Sequence, residues 1–166
     1  MSPTSRYGHF RRILFCTDFS KNAEFAFDFA IDAAERNKNC TLFIFHVIPE
    51  VEAQFWKSYI YEIEDIDEKA KQAIDTKIAN NYLPRIPKEI HYEFECRVGK
   101  DYMEILNYAQ EIKADLIIIG RHGKSAFKKV LYGNVTEKIS RHAECPVLVI
   151  PLVFQDKMQM VEKQES

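Results

Sequence analysis

The stretch GRHGKSAFKKVLYGNVT, residues 120–136, carries the clearest signal for both fold and ligand. Four apolar residues, 116–119, run directly into Gly120, and Gly123 and Gly133 complete a G-x-x-G-x9-G pattern. The start predicts a buried strand that ends in a loop, and the end predicts a loop that continues into a helix. Glycines at both breaks leave backbone N–H groups open to close approach by a bulky anion. The pattern therefore predicts a loop that binds polyphosphate.

The side chains between these glycines suit the same ligand. Lys124 and Ser125 supply a positive charge and a hydroxyl, whereas Lys128 and Lys129 are more typical of a solvated helix face. Gly123, Lys124 and Ser125 together resemble the end of a P-loop. That motif, G-x-x-x-x-G-K-[ST], needs a further glycine where this chain has Ile118, so a P-loop is excluded.

Short apolar runs alternate with amphipathic segments along the whole chain. The runs that predict strands are residues 13–16, 42–48, 90–98, 116–119 and 147–152. The predicted helices run from a Ser20 N-cap to residue 37, through a long segment ending near residue 80, over 102–112 and over 135–142. Five strands and four helices in alternation predict an α/β fold, an open parallel sheet with helices on both faces.

An open parallel sheet binds ligands outside the carboxyl ends of its strands, where the strand order reverses. The first predicted strand ends at Thr17 and Asp18, and the fourth ends at Gly120. We expect these three residues to be neighbours at that edge.

Length and composition indicate one ordinary globular domain. The 166 residues suffice for a single core. We expect a flexible N-terminus over residues 1–9, one domain over residues 10–153, and a polar, frayed C-terminal tail over residues 154–166.

Charge and cysteine usage exclude several classes of function. A net charge of −2 argues against nucleic-acid binding, and no apolar run approaches the ~20 residues of a membrane span. The four cysteines form no C-x-x-C pair, so a zinc site is not expected. Three of them lie in or beside apolar runs, as reduced cysteines do, and the N-terminus has no apolar signal segment. We therefore expect a cytoplasmic protein.

Four segments together resemble the universal stress protein (UspA-like) family. They are ILFCTDFS (13–20), HVIP (46–49), ADLIIIGRHG (114–123) and CPVLVI (145–150). In that family G-x-x-G-x9-G-[ST] marks the ATP-binding branch. This chain has Asn134 at the final position, and its side-chain amide can still donate to a phosphate oxygen.

The resemblance implies a fold and an assembly. The fold is a five-stranded parallel sheet of the Rossmann-like, adenine nucleotide alpha hydrolase-like type, with strand order 3-2-1-4-5. The assembly is a homodimer formed through the last strand, residues 147–152, whose uncovered edge invites pairing with a second copy.

The resemblance also implies roles for residues of the glycine-rich motif and of the first two predicted strands. The pocket for adenine and ribose would include Cys16, Thr17, Asp18 and Val47. The ribose and the first phosphate would lie against Ile119, Gly120, Arg121, His122 and Gly123. The phosphates would be held by Lys124, Ser125, Gly133, Asn134, Val135 and Thr136. The implied ligand is ATP, AMP or ADP, with Mg²⁺ or Mn²⁺ held by the phosphates.

Simpler interpretations stay open for some of these residues. Asp18 could only end a strand and orient a turn. His122 fits a hydrogen bonder that shapes the loop better than a catalytic base. His46 fits a satisfied core histidine or a dimer contact, and the aromatic residues 55–61 fit core or interface.

Three functions are compatible with the sequence. The first is an ATP-binding sensor or switch in the stress response, and the second is a slow ATP hydrolase. No water-activating carboxylate stands near the glycine loop in sequence, so rapid hydrolysis is not expected. The third is a dimeric interaction protein that does not bind nucleotide. Asn134, in place of the Ser or Thr of the ATP-binding pattern, allows this possibility.

Overall fold

The structure is a computed structural model that describes residues 8–50, 66–121 and 132–165. Its strands are β1 (Arg12–Thr17), β2 (Thr41–Pro49), β3 (His91–Gly99), β4 (Leu116–Arg121) and β5 (Val147–Pro151). Its helices are α1 (Lys21–Arg36), α2 (Ile66–Asn81), α3 (Asp101–Glu111), α4 (Tyr132–His142) and α5 (Val153–Glu165). A single 3₁₀ turn, Leu83–Arg85, follows α2.

All five strands form one parallel sheet in the order β3-β2-β1-β4-β5, which confirms the predicted fold class. The central strands β1 and β4 are the most continuously apolar, because both of their faces are covered. On one face, Phe15 packs with α1 and with Tyr82 beyond the end of α2. On the other face, Leu14 packs with Tyr108 of α3 and Ile139 of α4. Helices therefore cover both faces of the sheet, as the alternation predicts.

Local signals in the sequence set both ends of α1. The Ser20 Oγ accepts a hydrogen bond from the Ala23 N–H at 3.2 Å, so Ser20 is the predicted N-cap. At the other end, the Asn37 side chain donates to the Ala33 carbonyl at 2.7 Å and accepts from the Phe10 N–H at 2.8 Å. Asn37 thus closes the helix and ties it to the start of β1.

The C-terminal tail was predicted to be frayed, and that prediction is wrong. Residues Val153–Glu165 form α5, so the described residues contain five helices where the sequence predicted four. Phe154 packs on Phe29 of α1, with ring centroids 6.2 Å apart. Met158 and Val161 follow Phe154 at steps of four and three, which is helical spacing. The polar residues between them obscured this spacing in the sequence.

The long helix predicted to end near residue 80 is α2, which ends at Asn81. The aromatic residues 55–61 and the rest of 51–65 lie outside the described residues. Within the described ranges, no helix combines the length and the apolar character that a membrane crossing requires.

An arginine joins the edge strand β3 to α3. The two terminal guanidinium nitrogens of Arg97 donate to the Glu111 carboxylate, at 2.9 and 2.6 Å. The Arg97 guanidinium carbon also lies 4.8 Å from the centroid of the Tyr108 ring. The hydrogen bonds from Arg97 hold the pKa of Glu111 below its ordinary value. The pair is thus a charge-assisted, bidentate contact with an aromatic support.

We expect Arg97→Ala to lower the melting temperature most near neutral pH. A carboxyl group with a lowered pKa contributes stability above its unfolded pKa of about 4.3, and that stability is lost as pH falls through the folded value. Melting curves of wild type and Arg97→Ala between about pH 7 and about pH 3 should therefore converge as pH falls. Arg97→Lys keeps the positive charge but loses the bidentate geometry of the guanidinium. Its melting temperature should therefore lie between those of wild type and Arg97→Ala. A difference in melting temperature between wild type and Arg97→Ala that stays constant with pH contradicts this role for the pair.

Candidate functional site

The carboxyl ends of β1 and β4 lie side by side in the centre of the sheet. Cys16 of β1 pairs in register with Ile119 of β4 on one side and with Phe45 of β2 on the other. The next residues along, Thr17 and Gly120, are still paired in the sheet, with His46 and Ile150, and lie at its carboxyl edge. The predicted meeting of these two strand ends is confirmed.

Three of the predicted site residues come from neighbouring strands and share one face of the sheet. Cys16, Val47 and Ile119 belong to the apolar cluster that α3 and α4 cover. Burial raises the pKa of the Cys16 thiol, so it stays protonated and acts as a small apolar group. Together these side chains offer an apolar wall at the edge of the sheet.

Thr17 lies on the opposite face of the sheet, and its hydroxyl is already engaged. Its Oγ1 is 2.6 Å from the Tyr82 hydroxyl oxygen, and either group can donate. The same oxygen accepts a hydrogen bond from the Phe19 N–H at 2.9 Å. Only 6% of Thr17 is exposed. The side chain therefore holds the turn after β1, and only the Thr17 backbone stands at the edge of the sheet.

The turn after β1 is held by several further contacts. Asp18 Oδ1 accepts from the Ser20 N–H at 2.9 Å, which is an Asx turn. Phe19 has a φ of 61°, in the left-handed region that non-glycine residues seldom adopt. The His46 Nδ1–H donates to the Thr17 carbonyl at 2.7 Å, and the His46 ring lies 4.6 Å from the Phe19 ring. His46 is thus a satisfied histidine that braces the turn, one of its two predicted roles.

Gly120 is required by packing within the protein. A Cβ at this position would lie 2.7 Å from the Asn22 carbonyl oxygen and 3.1 Å from the Ala23 nitrogen. Both are backbone atoms of the first turn of α1, so only a glycine allows helix and strand to approach this closely. The sequence suggested that Gly120 gives room to an anion. In the structure the first turn of α1 occupies that space.

Asn22 adds a buried donor beside Gly120. The residue is 5% exposed, and its side-chain Nδ2 has no hydrogen-bond partner within the described part of the chain. Unsatisfied buried amides are uncommon because each costs desolvation free energy. Asn22 was not singled out in the sequence, since a lone asparagine in a helix gives no signal of its own.

The second part of the glycine-rich stretch begins α4. The helix starts at Tyr132, which places Gly133, Asn134, Val135 and Thr136 in or next to its first turn. The first four N–H groups of a helix have no partner inside it, and the helix dipole favours anions there. Because the helix begins at Tyr132, the N–H groups of Gly133 and Asn134 are among those that have no partner inside it.

The remaining predicted site residues are placed only in part. Arg121 ends β4 and is exposed. His122, Gly123, Lys124 and Ser125 lie outside the described residues. Among the residues that the structure does describe, no group of three or more His, Cys, Asp or Glu side chains could hold a metal ion.

Tyr82 is a contact of the β1 turn that sequence reasoning missed. It continues the apolar stripe of α2, since Ile74, Ile78 and Tyr82 follow at steps of four. That spacing could have identified it as buried, but not its partner, which lies 65 residues away in the chain. Burial raises the pKa of Tyr82 to about 12, so the hydroxyl is protonated at neutral pH.

Comparison with known proteins agrees with this architecture. The family model described as the universal stress protein family matches residues 9–151. The chain belongs to the universal stress protein family. The match covers the whole sheet, including β5, and the glycine-rich stretch.

Two curated relatives match over most of their length. Universal stress protein MJ0577 of Methanocaldococcus jannaschii is 31% identical over 157 residues, which cover 85% of this chain and 94% of that protein. A putative universal stress protein of Staphylococcus aureus is 31% identical over 166 residues, covering 95% and 96%. The solved structure of MJ0577 superposes with a TM-score of 0.64 over 85% of this chain and 95% of its own.

A more distant member of the fold was solved with a ligand. A universal stress protein family protein from Arabidopsis thaliana, with AMP bound, superposes with a TM-score of 0.51 at 14% identity. The alignment covers 85% of this chain and 90% of that protein. At this identity the likeness shows a shared fold.

Proposed function

We propose that this universal stress protein binds an adenine nucleotide, ATP or its relatives ADP and AMP, at the carboxyl edge of the sheet. One observation carries the proposal: both halves of the glycine-rich stretch lie at the edge of the sheet where β1 ends. Gly120 is the penultimate residue of the strand that pairs with β1, and Gly133 lies in the first turn of α4. An apolar wall for a base and unpaired amides for phosphates thus belong to the same edge.

Each part of the nucleotide has candidate partners in this arrangement. Asp18, which is exposed at the end of β1, and Val47 and Ile119 suit the base and ribose. The first-turn amides of α4 suit the phosphates, as do Lys124 and Ser125. Mg²⁺ or Mn²⁺ would be held chiefly by phosphate oxygens and water, which is how Mg²⁺ commonly binds with nucleotides.

The bound AMP of the Arabidopsis protein supports the proposal at the level of the fold, since it gives one case in which this architecture holds an adenine nucleotide. For this chain the support comes from its own residues. In this proposal the protein acts in the cytoplasm as a sensor or switch of the stress response, with at most slow ATP hydrolysis.

A second candidate function is a dimeric interaction protein that does not bind nucleotide. It is favoured by β5, which lies at one end of the sheet and exposes 40% of Leu148. An apolar edge strand of this kind is suited to pairing with a second copy. Nucleotide binding distinguishes the two functions, because a dimer that does not bind nucleotide fits only the second.

Calorimetry with ATP, ADP and AMP, with GTP for comparison, tests nucleotide binding directly. We expect Lys124→Ala to weaken ATP binding about tenfold, since a hydrogen bond to a charged group is worth about 1.5–3 kcal/mol. Lys38→Ala is the matched control, because it removes the same charge just after α1, at the other end of that helix from the site.

Wild type should also melt at a higher temperature when ATP is added. Absence of binding by any adenine nucleotide at millimolar concentration rejects the proposal. Sedimentation of the same sample then decides for or against the dimeric interaction protein.

A further inference from the structure

We propose that Tyr82 is a positioning residue for the nucleotide site, and that it acts by holding the turn after β1 in its binding conformation. This inference rests on the proposed function, because the turn carries Asp18 to the edge of the sheet. Tyr82 itself is buried and contacts no part of the proposed ligand surface. Its ring lies 6.0 Å from the Phe19 ring, between centroids, and the effect of its hydroxyl on binding would pass through Thr17.

The position of Tyr82 is fixed by an aromatic cluster. None of the residue is exposed, and its ring centroid lies 4.6 Å from that of Phe27 and 5.8 Å from that of Phe15. The ring therefore has little freedom, and its hydroxyl is held 2.6 Å from Thr17 Oγ1. A hydroxyl on a rigid ring constrains its partner more strongly than one on a mobile side chain.

The turn that Tyr82 holds contains a strained residue. Phe19 has a φ of 61°, and such a conformation is strained at a non-glycine residue. It is maintained by contacts that converge on Thr17, whose Oγ1 accepts from the Phe19 N–H at 2.9 Å. The Lys77 ammonium of α2 lies 5.3 Å from the centroid of the Phe19 ring and adds a second contact from the same side.

Loss of the Tyr82 hydroxyl removes one of these restraints and leaves the Thr17 hydroxyl with one fewer partner. Part of the population should then adopt a relaxed turn in which Asp18 is displaced. Apparent affinity falls in proportion to the fraction of molecules in the competent conformation. The residue thus acts on binding by preorganisation, with no contact to the ligand.

Tyr82→Phe tests the inference, because it keeps the packed ring and removes only the hydroxyl. We expect ATP to bind about three- to tenfold more weakly, as loss of one internal hydrogen bond implies. The Phe19 amide should also exchange with solvent faster in the absence of nucleotide. The matched control is Tyr108→Phe, which removes the same atom from a buried ring on the opposite face of the sheet. It should change neither ATP affinity nor Phe19 exchange.

A double variant separates positioning from general destabilisation. If Tyr82 acts through Thr17, adding Tyr82→Phe to Thr17→Val should weaken binding no further than Thr17→Val alone. If wild type binds ATP and Tyr82→Phe binds it equally tightly, the inference is wrong and the proposed function still stands. Equal losses in Tyr82→Phe and Tyr108→Phe also overturn it, since they indicate a loss of stability only. Failure of wild type to bind overturns both proposals.

Discussion

Gly120→Ala is expected to lower the free energy of unfolding by about 2–3 kcal/mol, because overpacking against fixed atoms has costs of this order. The added Cβ would lie 2.7 Å from the Asn22 carbonyl oxygen and 2.8 Å from its carbonyl carbon. These atoms belong to the hydrogen-bonded first turn of α1, which can move only if the helix shifts away from β4. The φ of Gly120 lies outside the left-handed region, so the effect should come from this contact alone.

Thermal unfolding measures the effect, with an expected decrease in melting temperature of roughly 5–10 °C for a chain of this size. The control is Gly99→Ala, where the added Cβ would meet the Glu104 side chain, with Cγ at 2.6 Å. A glutamate side chain can rotate, so this variant should lose less than about 1 kcal/mol. ATP binding should weaken in Gly120→Ala but not in Gly99→Ala. Equal losses of stability in the two variants contradict the close packing of α1 on β4.

Phe27→Ala is expected to be the most destabilising substitution considered, at about 3–5 kcal/mol. Phe27 is fully buried on α1, and its ring centroid lies 5.0 Å from that of Phe15 and 4.6 Å from that of Tyr82. Truncation therefore leaves a cavity between α1, β1 and the end of α2. Because Tyr82 loses a neighbour, the β1 turn should loosen as well.

Urea unfolding provides the measurement, and the midpoint should decrease while the slope stays the same. Phe154→Ala is the matched control, because it removes the same atoms from a ring that is 36% exposed at the start of α5. We expect it to lose only about 1 kcal/mol, as an incompletely buried side chain has less apolar area to lose. Similar midpoints for the two variants would mean that Phe27 does not hold these elements together.

Patterns within short segments predicted the sheet and the edge where its strands end. The run before Gly120 and the run at residues 13–16 are buried strands that pair with each other. Such predictions succeed because burial on both faces leaves a continuous apolar run, and alternation with helices enforces parallel pairing. All carboxyl ends then lie at one edge of the sheet, and the strand order that the resemblance implies makes β1 and β4 neighbours there.

Roles of individual side chains were harder to predict. The family resemblance suggested Thr17 as a nucleotide contact, whereas its hydroxyl bonds Tyr82 and the turn. The glycine-rich motif suggested Gly120 as space for an anion, whereas α1 packs into that space. Both differences arise from elements that come together only when helices dock on the sheet.

By itself, then, the sequence determined the strands, the N-cap at Ser20 and the glycine-rich stretch that begins α4. Only the tertiary structure decided that Tyr82 supports Thr17 and that α5 packs on α1 through Phe154. The physical reason is the range of the interactions. Periodicity and capping act within a few residues, so a short window contains them. The bond between Tyr82 and Thr17 joins residues 65 positions apart, and it exists only after α2 has packed on the sheet.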